Sequence, residues 1–105
     1  MIHAAAAERQ WRATSHAGVE ACVLHQNGQG GGAALVRFAA GARFPRHDHP
    51  GGEEVYVLEG RCVVGGATLV AGDFLWTPPG EVHDLHAEQA TVIYVATPSG
   101  VRILE

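Results

Sequence analysis

A chain of 105 residues, 47% of them apolar, holds one domain with a modest core, and a disordered tail is excluded. Its net charge of −4 sets eleven acidic residues against seven arginines and no lysine, which rules out a lysine Schiff base. No arginine cluster forms the basic stripe that nucleic acid requires, and no apolar run reaches the ~18 residues of a membrane span.

Fourteen glycines and five prolines predict tight turns joining short strands in place of long helices. Residues 1–14 read as an N-terminal arm, polar and alanine-rich, with Trp11 its only large apolar group. Its alanine run is too short and too weakly apolar for a signal peptide, so a cytoplasmic protein is expected. "VEACVLHQ" (19–26) alternates as a strand does, placing Val19, Ala21, Val23 and His25 on one face and Glu20, Cys22, Leu24 and Gln26 on the other. "NGQGGG" (27–32) is a loop, and "AALVRFA" (33–39) is a second strand turned by Ala40-Gly41.

The stretch "GARFPRHDHPGGEEVYVLEG" (41–60) spends two histidines and two glutamates within eight positions and ends in an apolar run. "RCVV-GG-ATLV" (61–70) has the form of a β-hairpin, since two glycines tolerate the two positive φ angles of its turn. "FLWT" (74–77) is a short strand stopped by Pro78-Pro79-Gly80. After "EVHDLHAEQA" come "TVIYVAT" (91–97), a Pro-Ser-Gly turn and "VRILE" (101–105). No segment sustains a 3.6-residue apolar period, so the chain reads as one all-β domain, a sandwich or closed barrel. Phe38, Phe44, Phe74, Trp76 and Tyr94 are expected to fill it. Cys22 and Cys62, forty positions apart, are expected as buried free thiols in a reducing compartment.

His47 and His49 lie two apart, so in extended chain both imidazoles point to one face and Asp48 points away, toward solvent. Pro50-Gly51-Gly52 allows the kink that returns Glu53 to the same place. Glu54 competes for that role, but Glu53 shares its face with Val55 and Val57 while Glu54 falls with Tyr56 and reads as solvated. His83, after the "TPPGEV" turn, is the fourth candidate. Three neutral nitrogens and one carboxylate suit a divalent transition metal, Fe, Mn, Ni, Zn or Cu, and leave coordination positions open. His86, three beyond His83, reads as a surface residue, with roles in supporting a metal ligand or facing substrate left open. Arg43 is either an anion clamp or a rim arginine satisfied by a carboxylate, the second being the simpler reading.

These residues also match a family. Gly41, His47, His49, Glu53 and Gly60 stand at the spacings of the first cupin motif, and Gly72, Pro78, Gly80 and His83 at those of the second. Ala87 stands where that second motif often has asparagine. The chain thus resembles the cupin superfamily over roughly residues 33–97. It is especially similar to the cupin half of ChrR-type anti-sigma factors and to the dihydroxyacetophenone-dioxygenase-like group. The resemblance implies a cupin jelly-roll barrel with an ion in its mouth held by His47, His49, Glu53 and His83, and commonly a homodimer. Sigma-factor binding is not implied, because the helical zinc-binding half of those anti-sigma factors is missing.

The expected function is a metal-dependent enzyme on a small-molecule substrate, most nearly a dioxygenase by family analogy, with Glu53 as a candidate catalytic base when displaced from the ion. Two alternatives stand beside it: a metal-dependent isomerase or lyase, and a non-catalytic sensory or regulatory cupin that binds a metal or ligand.

Overall fold

The computed structural model describes residues 1–105. Eleven strands form two antiparallel sheets: β1 (Arg12–Ala13), β2 (Val19–Gln26), β3 (Gly32–Phe38), β4 (Arg43–Asp48), β5 (Glu53–Glu59), β6 (Arg61–Val64), β7 (Ala67–Val70), β8 (Phe74–Thr77), β9 (His83–Ala87), β10 (Thr91–Thr97) and β11 (Arg102–Ile103). One sheet runs β1-β2-β3-β10-β5-β8 and the other β11-β4-β9-β6-β7. The all-β expectation therefore holds. The short strands β4 and β9 lie in segments that carry little apolar alternation of their own, and neighbour pairing makes them strands.

The β6–β7 hairpin forms as expected, with Val64 opposite Ala67 and positive φ at both Gly65 and Gly66. The expected arm contributes a short 3-10 turn at Ala6–Glu8 and then β1, which pairs with β2. The Arg37 guanidinium stacks over Trp11, its Cζ 4.1 Å from the ring centroid, and Arg37 is held by Glu20. The arm is thereby attached to the outward face of the larger sheet.

The core lies between the sheets. Val19, Phe38, Val55, Val57, Cys62, Val64, Leu69, Leu85, Ala87 and Ile93 form one buried cluster. Ala87, in the place where asparagine was a common alternative, is fully buried beside Cys62, where an unpaired amide would be costly. Both cysteines are buried and unpaired, as expected. In β2 a register shift between Val23 and His25 breaks the strict alternation: Val19 and Cys22 are buried while Val23 is 59% exposed.

Three of the five aromatic residues expected in the barrel are elsewhere. Phe74 and Trp76 are 56% and 58% exposed. The reason is register: Thr77 pairs with Glu53 and Leu75 with Val55, so these two turn inward and Phe74 and Trp76 turn out. Tyr94, between the inward Ile93 and Val95, pairs with Tyr56 and Leu35 on the same outward face. Phe38 is in the core, and Phe44 packs against the inner cluster.

Asp48 is a further correction. It was expected in solvent, yet it is 5% exposed. Its side chain does turn away from its neighbours' face, but β11 pairs alongside β4, Arg102 opposite Asp48 and Ile103 opposite His47, and sets the Arg102 side chain against it. Arg102 donates to Asp48 Oδ2, and Asp48 Oδ1 has no partner.

Candidate metal centre

The four candidate donors come from three strands and one loop, drawn from both sheets. His47 lies in β4 and His83 opens β9, directly opposite it in the ladder. His49 follows the last residue of β4, and Glu53 opens β5 in the other sheet, opposite Thr77. The Pro50-Gly51-Gly52 kink behaves as read from the sequence. Gly52 has φ +81° and its N–H donates back to the His49 carbonyl at 2.9 Å. A side chain at Gly52 would stand 3.0 Å from the Thr77 carbonyl, in a backbone region that already favours glycine.

His47, His49, Glu53 and His83 are all buried, and their donor atoms lie within 4.8 Å of one another. Imidazole centroids are 4.6 Å apart for His47 and His49, 4.8 Å for His47 and His83, and 4.4 Å for His49 and His83. Glu53 Oε1 stands 3.1 Å from His49 Nε2 and 3.5 Å from His83 Nε2. Those separations are close to what adjacent donors take around an ion roughly 2.1 Å from each.

Backbone carbonyls decide which imidazole nitrogens face the centre. His47 Nδ1 lies 2.7 Å from the Pro45 carbonyl oxygen, and His49 Nδ1 lies 3.2 Å from that of Glu81. A carbonyl oxygen only accepts, so each Nδ1 carries the proton and donates it. The neutral ring then presents a bare lone pair at Nε2. For His49 that atom is fully buried and has no hydrogen-bond partner, because in this tautomer it and the Glu53 oxygen 3.1 Å away are both acceptors. Buried lone pairs facing a buried carboxylate are costly unless something positive lies between them. This donor set fits a divalent cation.

In the ion's absence a proton is the available substitute. Burial pushes the Glu53 carboxyl up, but the facing imidazoles of His49 and His83 outweigh it and bring the pKa down to about 2. Burial pushes His49 down, yet the Glu53 carboxylate wins and raises it above 6.5. For His47 burial prevails and its pKa is lowered, with the neighbouring imidazoles adding to the effect.

The other candidates fall outside the cluster. Glu54 is exposed and pairs with Trp76 on the outward face. His86 is exposed on the far side of β9, between Arg43 and Val63. Arg43 is a satisfied rim arginine, 2.9 Å from Asp84 and 3.4 Å from Glu105, and both carboxylates raise its pKa. Beside the donors, between the sheets, lies a hollow of about 170 Å³ lined by His47, Glu53 and His83 with apolar side chains from both sheets. Sequence reading missed the Pro45 and Glu81 carbonyls, which have no residue-type signature. It also missed Thr97 and Val101, which close the hollow from the C-terminal side.

A family model described as the ChrR cupin-like domain matches residues 1–100. Among solved structures, a Methylibium petroleiphilum protein proposed to be an acetylacetone dioxygenase superposes with a TM-score of 0.90 at 18% identity, covering 100% of this chain and 81% of that one. The anti-sigma factor ChrR of Rhodobacter sphaeroides, in complex with SigE, gives a TM-score of 0.76 at 27% identity over 89% of this chain and 50% of that one. A curated relative, the DNA damage-repair/toleration protein DRT102 of Arabidopsis thaliana, is 37% identical over 68 residues. That match takes in 59% of this chain and only 22% of DRT102.

Proposed function

The chain belongs to the ChrR cupin-like domain family, and from that premise we propose a metal-dependent enzyme acting on a small molecule, dioxygenase-like in its chemistry. The observation that carries the reading is the convergence of four buried donors whose free lone pairs face one centre beside an apolar hollow. His47, His49 and His83 would hold the ion through Nε2, and Glu53 through its carboxylate. A divalent transition ion there supplies Lewis-acid polarisation of a substrate oxygen and, where redox-active, a route to O₂. The protein's own residues do the rest. The carbonyls of Pro45 and Glu81 hold two imidazoles in the required tautomer. Phe44 packs edge-on to His47 at 4.8 Å and fixes the ring from the apolar side. The aliphatic walls exclude water, which strengthens electrostatics at the reacting centre. Glu53, when displaced from the ion, would be the proton acceptor, since no other carboxylate lines the hollow.

The fold relatives support this reading, including one proposed to be an acetylacetone dioxygenase. The test is oxygen uptake by protein reconstituted with iron, nickel or copper and offered enolic and phenolic substrates. Uptake that depends on metal and on His83 supports a dioxygenase, and turnover without oxygen points to an isomerase or lyase.

A second reading rests on the likeness to ChrR: a sensory cupin whose ion or ligand shifts a regulatory equilibrium. Binding of metal and ligand with no turnover of any substrate supports it. We also propose a homodimer, supported by the exposed Phe74 and Trp76 on the outward sheet face. A cytoplasmic setting is supported by two free cysteines. No helix is long and apolar enough to cross a membrane.

A further inference from the structure

The hollow beside the four donors has a composition that limits what can enter. Nine of its thirteen lining residues are hydrophobic. Of the other four, His47, Glu53 and His83 are the donors themselves, which leaves Thr97 as the one additional polar side chain. No arginine reaches it, and the chain has no lysine. Arg43, the candidate anion clamp, is committed to Asp84 and Glu105.

Size adds a second limit. At about 170 Å³ the hollow is smaller than the ~300 Å³ lower bound of ordinary ligand pockets. It is close to the ~150 Å³ of an engineered apolar cavity that takes one benzene. Charge adds a third. A divalent ion with one glutamate carboxylate carries one net positive charge, and a chelating ligand with a single negative charge neutralises it. A second negative charge placed deeper in the hollow would be desolvated without a partner, which is costly.

Part of the wall comes from the C-terminal segment. After the Pro98-Ser99-Gly100 turn, Val101 joins the lining, and the next residues form β11 along β4. Val101 is 42% exposed and so stands at the mouth. It also lies just beyond the residues matched by the family model.

We infer that the site takes a chelator of about one six-membered ring, with both donor oxygens at the ion end, at most one negative charge and an otherwise uncharged body, and that Val101 sets its length. This rests on the ion-binding reading above. The ligand's ring packs among Val36, Phe44, Leu85 and Ile93, and its only protein-derived polar contact away from the donors is the Thr97 hydroxyl.

The experiment uses zinc-loaded protein, since zinc is redox-inert and leaves the probes intact. Zinc content is measured first. Calorimetric titration then compares catechol, 3,4-dihydroxybenzoate, which adds a carboxylate opposite the chelating oxygens, and naphthalene-2,3-diol, which adds a ring. Catechol is expected to bind at least tenfold more tightly than either. Val101→Ala is expected to narrow the naphthalene-2,3-diol deficit at least tenfold, and Val101→Phe to abolish catechol binding, with zinc content unchanged in both. Equal affinity for 3,4-dihydroxybenzoate and catechol, or a ranking indifferent to Val101, overturns the inference while the ion reading stands. Protein that takes up no zinc overturns the ion reading, and this inference with it.

Discussion

His83 faces His47 across the β4–β9 ladder, their ring centroids 4.8 Å apart, although thirty-six positions separate them in the chain. In an antiparallel pair, residues directly opposite share a face and their side chains are neighbours. The ladder therefore brings the second motif's histidine to the first.

Metal content checks that relationship. Wild-type protein is expected to hold one ion per chain. His47→Ala and His83→Ala are each expected to weaken binding by more than ~100-fold, since even residues that only support ligands cost up to that much. His25→Ala, at an exposed position on β2, should retain full stoichiometry. Equal metal content in all three variants, measured by elemental analysis, would count against the site.

Acid should expel the ion. The Glu53 carboxylate raises His49 above its ordinary value in the metal-free protein, so it keeps a proton to higher pH than a free imidazole does, and binding must displace that proton. Zinc binding near pH 6.5 is expected to release protons, read from the dependence of binding enthalpy on buffer ionisation, and affinity should fall steeply below about pH 6. Stability of the metal-free protein follows separate signs. The His49 contribution is fully present below 6.5 and disappears as pH rises through its raised pKa. The Glu53 contribution is present above 4.5 and disappears as pH falls through about 2. His47, with a lowered pKa, costs stability as pH falls below 6.5. Metal affinity independent of pH between 5 and 8 would contradict the donor assignment.

The Arg102–Asp48 pair should matter for folding more than an ordinary surface bridge. Arg102 is largely exposed while Asp48 is buried with Oδ1 already unpartnered. Removing Arg102 leaves a buried carboxylate alone, and because half the pair is solvated the cost is expected at about 1–3 kcal/mol, below the full buried-pair range. For a domain of this size that lowers Tm by roughly 4–8 °C per kcal/mol. Arg102→Ala is expected to show this by thermal denaturation, and Asp48→Asn a smaller loss. A Tm unchanged in Arg102→Ala would mean that β11 is not held as described.

Gly60, last residue of the first motif, should tolerate no side chain. It has φ +94°, and an added Cβ would stand 2.2 Å from the Ala90 carbonyl oxygen. Gly60→Ala is expected to destabilise the fold by at least ~1–3 kcal/mol. Gly66→Ala, also at positive φ but with open space around it, should cost less. Chemical denaturation of the two variants checks the order, and equal losses would leave backbone conformation as the sole cause.

Much of this was legible from the residues alone. Turn chemistry and short alternating runs gave the all-β class and the Gly65-Gly66 hairpin, because those signals are local to the backbone. Period-2 geometry with the Gly51-Gly52 kink made His47, His49 and Glu53 neighbours, and motif spacing brought in His83. The readings that failed depended on partners distant in sequence. Asp48 turns out as alternation requires, but only strand pairing reveals that β11 sets Arg102 against it. Phe74 and Trp76 are apolar and alternate correctly, yet which parity faces the core is set by the register against β5. The carbonyls that fix two histidine tautomers, and the Val101 wall of the hollow, likewise arise from through-space packing. Sequence by itself determined which side chains can donate to an ion and where the chain can turn. Tertiary structure alone decided what those donors face, because burial and register belong to the pairing of strands and not to any one of them.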